Sequence, residues 1–377
     1  MKHRQGSQLA MEHSFPSTAL DPPKKGTTLE GVARQTLQRA REGHLPVSRQ
    51  LVEMAALKLF HGIGPGLYHS ARLWRRGLPW RFKKGFWPYH KFRRFVATIN
   101  PPAYQKLSQN KFCEKAILAL ASIPTAQFLG HLHHQRGSSA SGEKLTNAAE
   151  LGHLLTTCPA IDKVCFKLVE GYGGQGFQAI QVSRNGGTRA RLLDSGQVLT
   201  LEDFLATLQV AQGKAYIVEQ YVSQHAVMAA LNPSSVNTLR VWASCIDGQT
   251  AVIDAFLRVG RRGSLVDNTS RGAQIFKVDL RSGVIGTGMV KSICNETFQC
   301  HKDTGEAISG VSLPFWPESL TLAQRAVSAF PAIAFAGVDI AITESGPLVI
   351  ELNVEPDPTS AIIFDRCHED LFSDFLQ

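Results

Sequence analysis

Near its C-terminal end the chain carries two runs in which apolar and polar residues alternate, over residues 336–343 and 348–354. The turn-forming residues between them complete the pattern of a β-hairpin. If the turn is centred on Ser345, Asp339 and Glu351 lie directly opposite each other. The period of two in a strand then predicts one apolar face that packs into the core. That face consists of Val338, Ile340, Ile342, Leu348, Ile350, Leu352 and Val354.

The other face of this hairpin carries Asp339, Glu351 and Asn353. Three oxygen donors on a rigid hairpin suit a hard divalent cation such as Mg2+, whose remaining positions are left for water and phosphate. The alternative is a half-buried hairpin whose polar face is simply solvated, because exposed Asp, Glu and Asn are the ordinary case. The hairpin alone does not decide between these two interpretations.

The same periodicities predict the rest of the secondary structure. Residues 29–60 indicate two helices broken at residues 43–46, and residues 106–120 indicate one helix. Further helices are predicted over residues 148–155, 203–209 and 317–330, and strands over residues 163–170, 177–182, 215–222, 241–246, 251–259 and 273–280. The C-terminal half is therefore predicted to be an antiparallel sheet with a packed helix.

A glycine-rich turn, Gly171-Tyr-Gly-Gly-Gln-Gly176, joins the strands predicted at residues 163–170 and 177–182. Its backbone N–H groups are able to close over phosphates, because glycine lets the main chain approach a ligand closely. Lys167, inside the first strand, is placed to reach the same phosphates as a point charge. The turn matches neither the Walker sequence nor the Rossmann fingerprint, and a mobile hairpin turn is the alternative interpretation.

The strand over residues 215–222 ends in Glu219-Gln220-Tyr221-Val222. This segment offers backbone donors and acceptors to an adenine edge, with Glu219 accepting from the adenine amino group. A strand end that happens to contain a glutamate is the alternative.

Composition limits the class of protein. With 377 residues, 44% hydrophobic and 19% charged, the chain is expected to be globular, with two or three domains. We find no apolar run long enough to span a membrane and no apolar signal core at the N-terminus, so we expect a cytoplasmic protein. Seven cysteines without CxxC spacing indicate neither a disulfide framework nor a zinc site. Residues 1–28, rich in Ser, Pro, Lys and His, are predicted to be a disordered leader.

The net charge of +9 is uneven, because residues 72–94 interleave cations with aromatic residues. Three functional interpretations are open: nucleic-acid binding, contact with anionic lipid headgroups, and docking on an acidic substrate or partner. We favour a fourth, in which the aromatic side chains serve the core and the cations lie on the surface. The segment matches no nucleic-acid-binding module, so we expect no nucleic-acid partner.

The order of these features resembles the ATP-grasp superfamily: a strand lysine, a glycine flap, a hinge with Glu, a strand arginine and an Asp…Glu-x-Asn hairpin. More narrowly, Gln224-His225, Asn237-Thr-Leu-Arg240 and Val266-Asp-Asn268 before the Gly272 turn resemble the sugar-transfer-associated, alpha-L-glutamate ligase-like family. The resemblance covers about residues 106–364. It departs at Gly272-Ala273, where two glycines are expected.

The resemblance implies an α+β fold in which two α+β lobes clamp ATP after a helical basic N-terminal region. We place that region at residues 29–105, the small lobe at 106–222 and the large lobe at 223–377. The implied nucleotide-binding residues are Lys111 and Lys167 as the two family lysines, Gly173, Gly174 and Gly176 in the flap, and Glu219, Gln220, Val222 and His225 around the hinge. Asp339, Glu351 and Asn353 would hold one or two Mg2+ ions, with Mn2+ as an alternative.

The implied reaction is an ATP-dependent carboxylate–amine ligation through an acyl phosphate, with release of ADP and phosphate. Arg240 and Lys167 would stabilise the transferring phosphoryl group. Asn268 would orient the acceptor or a metal-bound water, unless it only caps a turn. The substrates would be a small carboxylate and a small amine, in cell-surface polysaccharide or peptide-like metabolite synthesis. Two alternatives stay open: a small-molecule kinase, and an ATP-binding scaffold that contacts an anionic membrane or an acidic partner through its N-terminal segment.

Overall fold

The computed structural model describes residues 28–376 apart from residues 172, 185–186, 270–271, 291 and 295. The leader predicted over residues 1–28 therefore lies, except for its last residue, outside the described residues. The described chain begins with helices, which confirms the predicted break at residues 43–46. These are α1 (Leu29–Arg41), α2 (Val47–His61), α3 (Pro65–Ser70), α4 (Trp80–Lys84), α5 (Tyr89–Ile99), α6 (Pro102–Gln109) and α7 (Lys111–Leu120).

The first of two sheets has seven strands in the order β2-β1-β7-β3-β4-β5-β6, with all neighbours antiparallel. The strands are β1 (Phe128–Leu132), β2 (Ser138–Ser139), β3 (Lys163–Leu168), β4 (Gln178–Ser183), β5 (Arg189–Leu192), β6 (Val198–Leu199) and β7 (Tyr216–Gln220). Helices α8 (Ala148–Thr157) and α9 (Leu201–Leu208) share its apolar core, and a short 3-10 helix, Val210–Gln212, follows α9.

The second sheet also has seven antiparallel strands, in the order β12-β11-β10-β9-β8-β13-β14. They are β8 (Thr238–Ile246), β9 (Gln249–Val259), β10 (Gln274–Val278), β11 (Ile285–Met289), β12 (Thr297–Phe298), β13 (Phe335–Thr343) and β14 (Gly346–Asn353). The remaining helices are α10 (Ala226–Leu231), α11 (Trp316–Ser328), α12 (Ser360–Phe364), α13 (His368–Leu371) and the 3-10 helix Ser373–Phe375. Helix α11 covers one face of this sheet, so the predicted sheet with a packed helix is confirmed. No described helix is long and apolar enough to cross a membrane.

Strands β13 and β14 form the predicted hairpin, and Asp339 does lie opposite Glu351. The turn is tighter than predicted, because residues 344–345 alone form it, and a β-bulge at Ile350 then shifts the pairing back by one residue. The bulge also changes which side chains face the core. Val349 is fully buried and Ile350 lines a cleft on the other side, so the predicted core face was wrong along this part of β14.

The helix predicted over residues 106–120 is broken at Asn110. The Asn110 side chain accepts hydrogen bonds from Phe112 N at 3.2 Å and Cys113 N at 3.1 Å, which caps α7. Leu118 on α7 is buried in the core of the second sheet, and α7 packs beside β14. The lobe boundary at residue 106 stays a prediction.

The N-terminal helices share a core with the free face of the second sheet. The shared core includes Leu57, Tyr68, Trp74, Phe86, Trp87 and Phe92 from the helices and Trp242, Phe256 and Phe335 from the sheet. Asn100, fully buried after α5, donates to Phe335 O and Val354 O at 2.6 and 2.7 Å and accepts from Ala334 N. Most aromatic residues of the 72–94 segment therefore serve the core, as we favoured. Lys83 departs from the expected surface position of the cations, because it is buried and its Nζ lies 2.6 Å from Glu53 Oε2.

His368 joins the N-terminal helices to the C-terminal end of the chain. Its Nδ1 accepts from Trp87 N at 3.0 Å, its Nε2 lies 3.1 Å from Pro358 O, and its ring stacks on Trp87 at 5.5 Å. These partners require the neutral ring with the proton on Nε2. Burial accordingly lowers the pKa of His368 to about 3.

Acidification is expected to destabilise the fold through His368. Unfolded His368 takes up a proton below a pKa of 6.5, whereas the folded residue resists protonation down to about 3. The free energy of unfolding should therefore fall by about 2 kcal/mol between pH 6.5 and about pH 5, measured by urea unfolding with tryptophan fluorescence. His368→Gln should lose much of this pH dependence, while the exposed-site control His153→Gln keeps it. An unchanged pH dependence in His368→Gln would contradict the assignment.

Candidate active site

A cleft lies between the two sheets, at the glycine-rich loop that joins β3 to β4. Eight of the predicted site residues line it: Lys111, Lys167, Gly173, Gly174, Val222, Asn268, Asp339 and Glu351. The predicted residues Gly176, Glu219, Gln220, His225, Arg240 and Asn353 are not part of that lining. The fold thus brings together residues that are far apart in the sequence.

The flap glycines have backbone angles that favour glycine. Gly173, Gly174 and Gly176 have φ values of 64°, 71° and 67°. A Cβ on Gly174 would lie 3.4 Å from Val266, which follows β9 of the second sheet. The flap therefore reaches across the cleft. A Cβ on Gly176 would lie 2.7 Å from Leu168, so that glycine is required by packing. Tyr172 of this loop is outside the described residues.

Two lysines share one buried carboxylate at the back of the cleft. Glu219 is fully buried on β7, with Lys115 Nζ at 2.5 Å from Oε1 and Lys167 Nζ at 2.8 Å from Oε2. Burial opposes ionisation of Glu219, but the charges of Lys167 and Lys115 outweigh it and hold the carboxyl pKa below its usual value. In this arrangement the Glu219 carboxylate holds Lys167 in place. The contact of Glu219 with adenine stays a prediction.

Lys115 was missed by the sequence analysis. It lies one helical turn after Lys111 on α7, and that i, i+4 spacing was the available signal. Lys111 points its Nζ to Gly171 O at 3.0 Å, at the base of the flap, and lies 3.7 Å from Glu351 Oε2. Helix α7 therefore supplies two of the three lysines on this side of the cleft. We call this side, with Lys111, Lys115 and Lys167, the lysine wall.

The opposite wall centres on Asp339. Arg240 lies directly across from it on β8, and its Nε and Nη2 bind the two carboxylate oxygens, the second at 2.9 Å. Arg258 on β9 donates to Asp339 Oδ2 at 2.8 Å and to Thr238 Oγ1 at 2.7 Å. Burial raises the pKa of Asp339, but both arginines outweigh it and the net shift is downward.

Arg258, not Arg240, is the arginine that lines the cleft. Arg240 is buried behind Asp339, which differs from its predicted place at the transferring phosphoryl group. The sequence analysis missed Arg258, although a single cation in the apolar run of β9 was a signal. The register of β8 and β9 places Arg258 opposite Thr238, with its side chain in the cleft lining.

The predicted cation ligands do converge. The Asn353 amide nitrogen lies 3.4 Å from Asp339 Oδ2 and 3.3 Å from Glu351 Oε1. Rotation of that amide would offer an oxygen at the same position, so the donor set fits a hard cation. Asp339 already binds two arginines, which leaves Glu351 and Asn353 as the better donors. Within the described residues no group of three or more His, Cys, Asp or Glu lies close enough to hold a metal ion, so phosphate oxygens would have to complete the shell.

Glu114 supports this hairpin from behind and was also missed. It is buried on α7 and accepts from Leu352 N at 2.6 Å, between the two donor residues of β14. Burial and the nearby charge of Glu351 raise the pKa of Glu114 to about 8.

Several residues of the family-like motifs hold loops in place. Gln224 donates to Asn232 O and Ser235 O, both at 2.9 Å, and accepts from Asn237 N at 3.0 Å. Asp267 accepts from Thr238 N at 2.8 Å, which ties the loop carrying Asn268 to β8.

Besides Glu219, two predicted hinge residues lie outside the cleft lining and make other contacts. His225 caps α10 by accepting from Val227 N at 3.1 Å. Gln220 is exposed, and its backbone N donates to Gln127 O at 2.9 Å. Their contacts with a nucleotide stay predictions.

Several solved structures are similar to this chain. Biotin carboxylase from Campylobacter jejuni is 12% identical, with a TM-score of 0.43, over 78% of this chain and 52% of that one. D-alanyl-alanine synthetase A from Vibrio cholerae is 15% identical, with a TM-score of 0.40, over 72% and 63%. Carboxyaminoimidazole ribonucleotide synthase from Aspergillus clavatus, complexed with ATP, is 14% identical, with a TM-score of 0.38, over 68% and 47%. The chain thus spans between about half and two thirds of the length of these three proteins.

No curated protein matches the sequence. A family model described as sugar-transfer associated ATP-grasp matches residues 91–365. That match covers most of the chain, from α5 through both sheets to α12, and includes every predicted site residue. The chain therefore belongs to the sugar-transfer-associated ATP-grasp family.

Proposed function

We propose that this protein binds ATP in the cleft and joins a carboxylate to an amine, with release of ADP and phosphate. The observation that carries this proposal is the pairing of the acids there. Each described carboxylate in the lining lies next to a cation: Asp267 at 3.5 Å and Asp339 at 2.8 Å from Arg258, and Glu351 at 3.7 Å from Lys111. The two arginines hold the pKa of Asp339 below its usual value, so this carboxylate is a poor proton acceptor. Burial raises the pKa of Asp267, but its Oδ2 already accepts hydrogen bonds from Thr238 N and Thr238 Oγ1.

This pairing favours a ligase over a kinase. A hydroxyl nucleophile must lose its proton to a base, whereas a carboxylate substrate arrives already ionised. Cys165 lines the cleft, but burial raises the pKa of its thiol to about 12, so it is a poor nucleophile. Direct attack of a substrate carboxylate on ATP is the chemistry that these side chains best support.

The proposed reaction has two steps. A carboxylate oxygen attacks the γ-phosphorus, and the bond to the β,γ-bridging oxygen breaks. ADP departs, and an acyl phosphate has formed. The amine nitrogen then attacks the acyl carbon and expels phosphate, which takes up the proton that the amine loses. Both steps concentrate negative charge on oxygen atoms, which pre-positioned cations stabilise.

The described side chains have distinct parts in this proposal. Lys111 and Lys167 neutralise the phosphates under the glycine flap, and Arg258 faces the group being transferred. Asn268 orients the acceptor from the opposite wall. Glu351 and Asn353, with Asp339, would hold Mg2+, and the ion would supply positive charge that polarises phosphate oxygens. The family's association with sugar transfer favours an acceptor that is carried on a sugar.

Turnover with pooled carboxylates and amines tests the reaction class. We expect ADP, not AMP, to form only when both pools are present, and hydroxylamine to trap a hydroxamate when it replaces the amine. Glu351→Gln should lower the rate by about 10- to 100-fold, because it weakens cation binding. Glu351 is one third exposed, so this change should leave the fold intact.

Glu306→Gln, at an exposed position outside the cleft, is the matched control and should keep the wild-type rate. A phosphate ester in place of the hydroxamate would show that the enzyme is a kinase. Equal rates in Glu351→Gln and the wild type would contradict the assigned site.

Removal of Lys115 tests the shared carboxylate. Lys115→Met leaves Glu219 with Lys167 alone, which draws that lysine away from the phosphates. We expect the dissociation constant for ATP to rise by about tenfold by calorimetry, and Lys115→Arg to keep most of the affinity. Thermal unfolding of the nucleotide-free variants separates this effect from lost stability. Wild-type ATP affinity in Lys115→Met would refute the positioning role.

A further inference from the structure

The N-terminal helices expose a set of large apolar side chains. They are Leu51, Val52, Leu59 and Phe60 on α2 and Trp80 on α4, with exposed fractions of 54%, 63%, 77%, 72% and 40%. We call these five residues the α2 surface. Single exposed apolar residues are ordinary on a protein, but a contiguous group of them marks an interaction site.

Four of the five residues share one side of α2. At 3.6 residues per turn Val52 and Leu59 lie within about 20° of each other around the helix axis, with Leu51 and Phe60 to either side of them. At the end of α2, His61 contacts the Trp80 ring with centroids 6.3 Å apart, which brings α4 alongside.

The charge around the α2 surface is strongly positive. Residues 29–100 contain 14 Lys and Arg but three Glu. Four acids near the C-terminal end pair with five of these cations, which still leaves an excess of +7: Glu355, Asp365, Glu369 and Asp370. Lys58 and Arg81 are exposed and adjoin Leu59 and Trp80 in the sequence. Arg81 has only a 3.9 Å contact to Asp370, an exposed pair of little strength. The apolar side chains are therefore flanked by cations that solvent or a partner can reach.

We propose that the α2 surface docks on the face of an anionic lipid bilayer. The chemistry of both components fits such a partner. Lysine and arginine attract the headgroup phosphates, leucine and phenylalanine enter the boundary of the acyl chains, and tryptophan favours the interface between them. The binding is peripheral, because none of the described helices is able to span a membrane.

Two other partners fit the same surface less well. A nucleic acid would pair with the cations but leave the exposed leucines and phenylalanine in water. A second copy of the chain would bring two regions of net positive charge together, and their repulsion would oppose contact. A bilayer satisfies the apolar and the charged components at once.

Co-sedimentation of the full chain with lipid vesicles tests the proposal. We expect binding to vesicles that contain phosphatidylglycerol, little binding to pure phosphatidylcholine vesicles, and weaker binding at high salt. Leu59→Ser combined with Phe60→Ser should lower the vesicle affinity by about tenfold or more, and Lys58→Glu should lower it as well.

Leu120→Ser is the matched control, because Leu120 is 89% exposed on α7 and lies outside the α2 surface. It should bind vesicles as the wild type does. Because these residues lie outside the cleft, vesicle binding does not depend on nucleotide turnover.

Three outcomes would overturn the proposal. The first is equal binding to both kinds of vesicle, or to neither. The second is a Leu59→Ser, Phe60→Ser variant that binds as well as Leu120→Ser does. The third is a wild-type dimer in solution that the same double substitution makes monomeric, which would assign the α2 surface to a second copy.

Discussion

The cross-strand pair between Arg240 and Asp339 is the constraint on which the proposed site depends. Asp339 is almost fully buried, and a buried carboxylate is stable only when cations and hydrogen-bond donors replace water. The register of β8 and β13 places Arg240 directly opposite, and β9 adds Arg258. A slip of one residue in β13 would turn Asp339 into the apolar core beneath α11. The strand register that forms the sheet therefore also forms this wall of the cleft.

The lysine wall contains the same arrangement, with lysines in place of arginines. Glu219 is the buried acid there, and Lys115 and Lys167 neutralise it. The lysine wall therefore keeps a positive excess, whereas Asp267 and Glu351 give the other wall three carboxylates for its two arginines. This division fits the proposal that one wall faces the phosphates and the other holds a cation. Lys115 and Arg240 stand outside the cleft lining. They pair with the same two carboxylates that bind Lys167 and Arg258, which do line the cleft.

Much of the fold was predictable because local pattern determines it. The alternation along residues 336–354 identified the hairpin, and the order of the glycine turn, hinge and hairpin identified the family. The bulge at Ile350 was not predictable, since a single extra residue leaves the alternation of short runs ambiguous. Arg258 and Glu114 were missed because their roles arise from tertiary contacts, with Asp339 and Leu352 respectively, that no sequence spacing records.

The most direct test of the account is a calorimetric comparison of ATP and AMP binding, with and without Mg2+. In the proposed site the phosphates lie between the lysines and Glu351, so Mg2+ should strengthen ATP binding in the wild type by more than about tenfold. Glu351→Gln should lose that gain, while AMP binds both proteins equally. ATP affinity that responds neither to Mg2+ nor to Glu351 would contradict the assignment of this cleft.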